Sequence, residues 1–318
     1  MNILGKIIAV AACGAFSCAA MSQQTQPIRL VVTFAAGGGT DSVARRLNVA
    51  LGEKLGRSVI VENRPGAGGS VATDFVAKSA ADGNTILLTT SSHSINQALY
   101  PKLPFDTQRD LRGVTYIGTV PQVLAVHPGS PVKSLKDFLQ ACRQDPKLCL
   151  YGSGGIGVPG HLAGEVLASA AAIQLVHVPY RGAAPAITDV AGGQVPAMFG
   201  TLSAVLPQIQ SGRLRALAVT SSKRLPVLPN VETIAETFPE YMEDTWFGTF
   251  VPRNTPDALV EKIHQATLAA LKEPSVKASL DAQTVQVVGS GPEELDKIVA
   301  REIVSVSKVI KSRGIRPE

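Results

Sequence analysis

The pattern that most constrains this chain is a glycine-rich turn set between an apolar run and a helix-like stretch, and it occurs twice. The first copy is VVTFAAGGGTD, Val31 to Asp41, and the second is LYGSGGIGVPGH, Leu150 to His161. Each turn leaves a strand and enters a helix. Each therefore offers unpaired main-chain N–H groups and the positive end of a helix dipole to an anion. One such turn says little, because glycine is also the least strained way round a corner. Two in similar contexts suggest two lobes closing on one small anion.

The segments around the turns support that reading. Ile28 to Phe34 reads as a strand, and Val43, Leu47, Leu51 and Leu55 form the inner stripe of a helix that Thr40 or Asp41 could cap. Strands at 58–62 and 85–89 follow, with a helix through Val71, Phe75 and Val76 between them, entered by the turn NRPGAGG. Strand, helix, strand, helix, strand implies parallel pairing with right-handed crossovers. The rhythm returns with strands at 148–151, 174–178, 195–199 and 214–220, a helix from His161 and another near Pro185 to Val190. Period recurs but residue identity does not. Between the halves lie Gly118 to His127, with Pro121, and WFGTFVP, Trp246 to Pro252. Two crossover strands there would form a hinge. The tail reads as helices at 257–271 and 293–311 with a short strand at 285–288 between them.

At 318 residues the chain exceeds the size at which one core keeps growing, so two domains are expected. The net charge of +5 is spread along the chain and aromatics are few, which disfavours a nucleic-acid surface. The N-terminus, MNILGK followed by IIAVAACGAFSCAAMSQQ, reads as a secretory signal over residues 1–20, cleaved near Ala20. Val10 to Cys13 also resembles a lipoprotein box that would lipidate Cys13. The apolar stretch before it, about six residues, is short for that, so soluble export is expected. In an oxidising compartment Cys142 and Cys149, flanking an Asp145-Pro146 turn, are expected to form a structural disulfide.

Several catalytic patterns are incomplete. Gly152 to Gly157 fits G-x-G-x-x-G, but the next strand, QLVHVPYRG, carries no acidic residue for a ribose. Ser153 sits where a nucleophile could, yet Tyr151 stands where the elbow needs glycine. His93, His127, His161, His177 and His264 form no metal-ligand spacing. No enzyme activity, metal or cofactor is expected. Ligands of open α/β sheets bind beyond the carboxyl ends of the strands, where Thr33, Thr40, Ser91, Ser92, Ser153 and Thr201 supply uncharged donors.

The segments RLVVTFAAGGGTDSVAR, VIVENRPGAGGS, GSGGIGVPGHLAGE, VHVPYRGAAPAITDVAGGQVPAMF and LRALAVTSSKRLPVLPNVETIAE resemble signatures of one family. It is the Bug, or TctC-like, family of periplasmic solute-binding proteins of tripartite tricarboxylate transporters, and the likeness runs from about Pro27 to the C-terminus. The resemblance implies an α/β, two-lobed periplasmic-binding-protein fold of type II-like form. Each lobe would be a mostly parallel sheet flanked by helices, with residues 26–122 plus 247–318 in lobe 1 and 123–246 in lobe 2. It further implies a monomer that captures a small carboxylated ligand in the interlobe cleft and delivers it to integral-membrane permease subunits. The carboxylate would be held through main-chain groups and ordered water. Carried onto this sequence, the contacts are Phe34, Gly37, Gly38, Gly39, Thr40 and Asp41 in lobe 1. In lobe 2 they are Ser153, Gly154, Gly157 and His161, with Tyr180 close by. Two positions depart from the family pattern. Ala36 replaces a frequent proline, and Gly200-Thr201 replaces a common Asp-Asn, which argues against a ligand ammonium group needing an anionic partner. A receptor reporting its ligand to a membrane sensor would share these features.

Overall fold

The computed structural model describes residues 26–241 and 244–316. The expected signal segment, residues 1–20 with Cys13 and Cys18, lies outside the described residues.

The described chain builds two six-stranded mixed sheets. In the first, β1 (Ile28–Val32) pairs in parallel with β2 (Val59–Asn63) and β3 (Thr85–Thr90). β11 (Thr245–Pro252) then runs antiparallel between β3 and β4 (Leu111–Val120), and β12 (Gln286–Ser290) closes the edge against β4. In the second sheet, β6 (Leu150–Ser153) lies parallel between β7 (Val176–Pro179) and β8 (Ala197–Thr201). β5 (Gln122–Val126) is inserted antiparallel between β8 and β9 (Arg215–Val219), with the short β10 (Glu232–Thr233) at the edge. The sheets are thus mixed where the sequence suggests mostly parallel ones. A strand arriving from the other sheet enters against the direction of the βαβ strands it joins.

The chain crosses between sheets at Pro121 and again just before Thr245. Proline cannot donate to a ladder, so β4 ends at Val120 and the chain turns out of the first sheet there. The crossings are stitched together: Gln122 N–H donates to Thr220 Oγ1 at 2.8 Å, and the Gln122 side-chain amide reaches the Thr245 hydroxyl.

The helices obey the periodicity read from sequence. α1 (Gly39–Leu55) buries Val43, Leu47, Leu51 and Leu55 against the first sheet and ends at Gly56, whose φ of 67° suits glycine. α2 (Ser70–Ala77) and α3 (Ser92–Leu99) complete the first half. α4 (Leu135–Gln144), α5 (Pro159–Ala170), α6 (Ala183–Ala191) and α7 (Leu202–Gln210) flank the second sheet, with the single turn α8 (Ile234–Thr237). α5 starts two residues ahead of His161 because Pro159 fits the first helical turn. The C-terminal α9 (Asp257–Leu271), α10 (Pro274–Ala282) and α11 (Pro292–Arg313) return to the first sheet. α10 is too short and mixed for its apolar spacing to stand out in the sequence.

The expected Cys142–Cys149 disulfide is corrected by the structure, in which both are free, buried thiols. Cys149 Sγ donates to the Cys142 carbonyl at 3.0 Å, and Cys142 Sγ lies 3.7 Å from the Leu148 carbonyl. Main-chain acceptors satisfy both sulfurs inside the second core, and burial pushes the Cys142 thiol up, away from its reactive thiolate form.

Trp246, the only tryptophan in the chain, enters the first sheet on β11 and donates its indole N–H to Glu302 of α11 at 2.8 Å. Burial pushes the Glu302 carboxyl up to about 7 against the attraction of that bond. The folded protein therefore keeps a proton there that the unfolded chain, near 4.5, has released. Stability carried by that proton is present below about pH 4.5 and lost as pH rises to 7. Glu302→Gln is expected to melt above wild type at pH 8 and level with it at pH 4.5. A pH-independent difference in melting temperature would contradict this account.

Candidate functional site

The loop from Thr33 to Gly38 leaves the carboxyl end of β1 and is fixed by one carboxylate. Asp41, 3 % exposed, accepts the Gly37 N–H and Arg45 Nε on Oδ2, and Asn63 Nδ2 on Oδ1, all at 2.9 Å. Asn63 Nδ2 also lies 2.9 Å from the Phe34 carbonyl. Burial alone would raise the Asp41 pKa; the bonds from Arg45, Gly37 and Asn63, with the Arg45 charge, outweigh it and hold the carboxyl below its usual range. Gly37, at φ 83°, is the residue whose backbone makes this wrap possible.

These bonds change which groups are free. The Gly37 N–H is spent on Asp41, and that of Gly38 leans toward the Ala35 carbonyl at 3.4 Å. Gly39, Thr40 and Asp41 open α1, where a helix provides no acceptor for its first amides. No side chain caps that end. Of the loop's amides, those of Gly39 and Thr40 are therefore the ones without a partner in the first turn of α1, and Asp41 acts as the brace.

The second loop follows β6. Ser153, fully buried, sits 3.0 Å from the Gly155 carbonyl and 2.7 Å from His177 Nε2. The Ser153 and Gly154 carbonyls accept the Tyr180 and Gly182 amides at 3.1 and 3.0 Å, which ties the loop to β7. His161 Nδ1 faces the Gly157 N–H at 3.4 Å, and its ring stacks on His177 with centroids 4.1 Å apart. Burial, aided by the neighbouring His161, holds His177 down at about 3, so it is neutral and hydrogen-bonds without charge. The Tyr180 hydroxyl turns away from the loop to Asp189 Oδ2 at 2.7 Å.

The loops belong to different sheets, yet their surroundings meet. A Cβ placed on Gly39 would stand 3.1 Å from Ser203 Oγ and 4.0 Å from Thr201 Oγ1. Thr201 is the N-cap of α7, which likewise has no side-chain cap. Two helix N-termini without side-chain caps, each partially positive, thus approach one another from the two halves; at the second, the Leu202 N–H is taken by the Pro121 carbonyl at 2.9 Å. Residues 33–40, 153–158 and 201–203 contain no Lys or Arg. Ser91, 2 % exposed, is the N-cap of α3 at the carboxyl end of β3, beside β1.

Sequence reasoning missed Asn63 and Ser203. Asn63 ends a strand just before Arg-Pro-Gly, an asparagine placement suited to bridging backbone groups, and it could have been noticed. A groove of about 820 Å³ beside Arg29, Phe75 and Thr85 opens near the amino ends of β1 and β3, away from both loops. Its cations are paired, Arg29 and Arg64 with Glu62 and Lys78 with Asp74.

Comparison with known proteins agrees with this geometry. Residues 43–315 match the model of the tripartite tricarboxylate transporter family receptor. The periplasmic binding protein BugD superposes with a TM-score of 0.85 at 31% identity, covering 92% of this chain and 99% of BugD. MatC from Rhodopseudomonas palustris with bound malate gives 0.84 at 29%, covering 89% and 98%. R. palustris Rpa4515 with adipate gives 0.86 at 35%, covering 92% and 98%. The chain is therefore a member of the tripartite tricarboxylate transporter receptor family, with the two-lobed fold of periplasmic binding proteins.

Proposed function

We propose that this chain is an exported solute-binding protein that holds a small carboxylate between its halves and hands it, chemically unchanged, to membrane permease subunits. The observation that carries the reading is the approach of two helix N-termini without side-chain caps, at Gly39 and at Thr201–Ser203, across the two sheets. Residues 26–122 with 247–318, and 123–246, would move as the two lobes of a monomer. Residues 1–20 would direct export to the periplasm. The malate and adipate bound by MatC and Rpa4515 support the ligand class.

The mechanism needs no fixed cation. Hydrogen bonds to a charged group contribute about 1.5–3 kcal/mol each, and a micromolar complex needs roughly −8 kcal/mol. Four or five amide and hydroxyl donors reach that figure if the loops are already in place, and the Asp41 bonds keep the first loop in place. His177, held neutral, adds no charge that would make capture depend on pH near neutrality.

A melting-temperature screen with malate, adipate and related mono-, di- and tricarboxylates tests the class. A bound carboxylate at a hundred times its Kd should add about 2.7 kcal/mol of stability. No shift from any member, or conversion of one into product, would contradict the reading. Gly39→Val is expected to abolish the shift while leaving the unliganded melting temperature within a few degrees of wild type. Its backbone is open to any residue, but the new side chain enters the gap before Ser203. Asp41→Asn should weaken binding at least tenfold, because Arg45 and the Gly37 amide lose the charge that anchors them; calorimetric titration reads it.

A further inference from the structure

The turn RPGAGG, Arg64 to Gly69, between β2 and α2, has no part in the two loops described so far. It lies against α3, where Asn96 Nδ2 donates to the Gly68 carbonyl at 2.9 Å. Asn96 is 3 % exposed, and its Oδ1 is buried without a hydrogen-bond partner. That oxygen faces the other half of the molecule: a Cβ placed on Gly157 would fall 2.5 Å from it. A Cβ on Gly68 would in turn fall 3.2 Å from the Ile156 carbonyl. Both glycines have positive φ, 62° and 72°. Two turns from different sheets thus meet because neither carries a side chain, and Asn96 fills the junction.

The same helix continues the contact. Leu99 Cδ2 would lie 3.3 Å from a Cβ on Gly157, and Ile95 packs with Leu162 of α5 and Val306 of α11. At its other end α3 begins at the Ser91 cap beside the first loop. One short helix therefore touches the ligand end of the first sheet and the glycine loop of the second.

We propose that Asn96 is the positioning residue that couples the two halves when a carboxylate is captured. It fixes the Gly68 turn through its amide and seats the Gly157 loop on Oδ1. At present the glycine offers that oxygen only a Cα–H, a weak donor. The Gly157 N–H, engaged at a long 3.4 Å with His161, is the donor that completes it as the loop tightens. The proposal rests on the carboxylate-binding reading for the purpose of closure, but the contact can be tested without ligand.

Hydrogen exchange of the folded protein is the test. Asn96→Ala is expected to speed amide exchange in residues 154–158, in the opposite half, by about tenfold or more. Gly157→Ala should do the same to residues 66–70, and reads the contact from the other side if Asn96→Ala fails to fold. Asn63→Ala, which loosens the first loop, should leave residues 154–158 unchanged. With malate as probe, Asn96→Ala should raise the dissociation rate about tenfold and leave association nearly untouched. If Asn96→Ala loosens residues 66–70 alone, its role is internal to one half and the proposal fails. If wild type binds neither malate nor adipate, the ligand reading is weakened, while the exchange result still decides the role of Asn96.

Discussion

The structure depends on holding main-chain amides rigidly where no helix partner satisfies them. Amides exchange water for a ligand oxygen with little net gain unless their geometry is set in advance. Asp41 sets it for the first loop. Its two oxygens collect a main-chain amide, a guanidinium and a carboxamide from three different places in the chain. The second loop is held differently, by carbonyls that accept from Tyr180 and Gly182, just beyond the edge strand β7, and by the Ser153–His177 pair. One brace is ionic and the other neutral. Both leave the first turn of the following helix free of side-chain caps.

The exchange of strands joins the two sheets along one seam. β4 continues into β5 through Pro121, β11 returns, and the two passages are tied at Gln122. A rotation about that seam would change the separation of the loops without disturbing either sheet. α11 spans the same region: it lies along the first sheet, and its Arg313 reaches Glu165 on α5 at 3.1 Å. Glu165 in turn sits 3.0 Å from the Tyr151 hydroxyl, which lies equally close to the His161 carbonyl. The C-terminal helix is thereby connected to the back of the second glycine loop.

Much of the fold was legible because it rests on periodic burial. The i, i+4 stripe of α1 and the apolar runs of β1 and β3 can be read directly. So can the break at Pro121, because proline interrupts a ladder wherever it stands. The antiparallel insertion of β5 and β11 was not legible, since which sheet a crossover strand joins is a long-range fact. The disulfide expectation failed for a local reason: nearby main-chain carbonyls took both thiols. At the site the glycine runs are visible in the sequence, but the use each amide is put to is not: Asp41, four residues on, takes the Gly37 N–H, while those of Gly39 and Thr40 open a helix. Asn96 and Ser203 were invisible for the complementary reason, as their significance lies in the glycine each faces across the molecule.

The most direct test is a crystal structure of the protein with malate or adipate in the cleft. The account predicts carboxylate oxygens within about 3 Å of the Gly39 and Thr40 amides, facing the Thr201–Ser203 end of α7, with no arginine or lysine in contact. A carboxylate instead paired to a guanidinium, or seated in the groove beside Phe75, would contradict it.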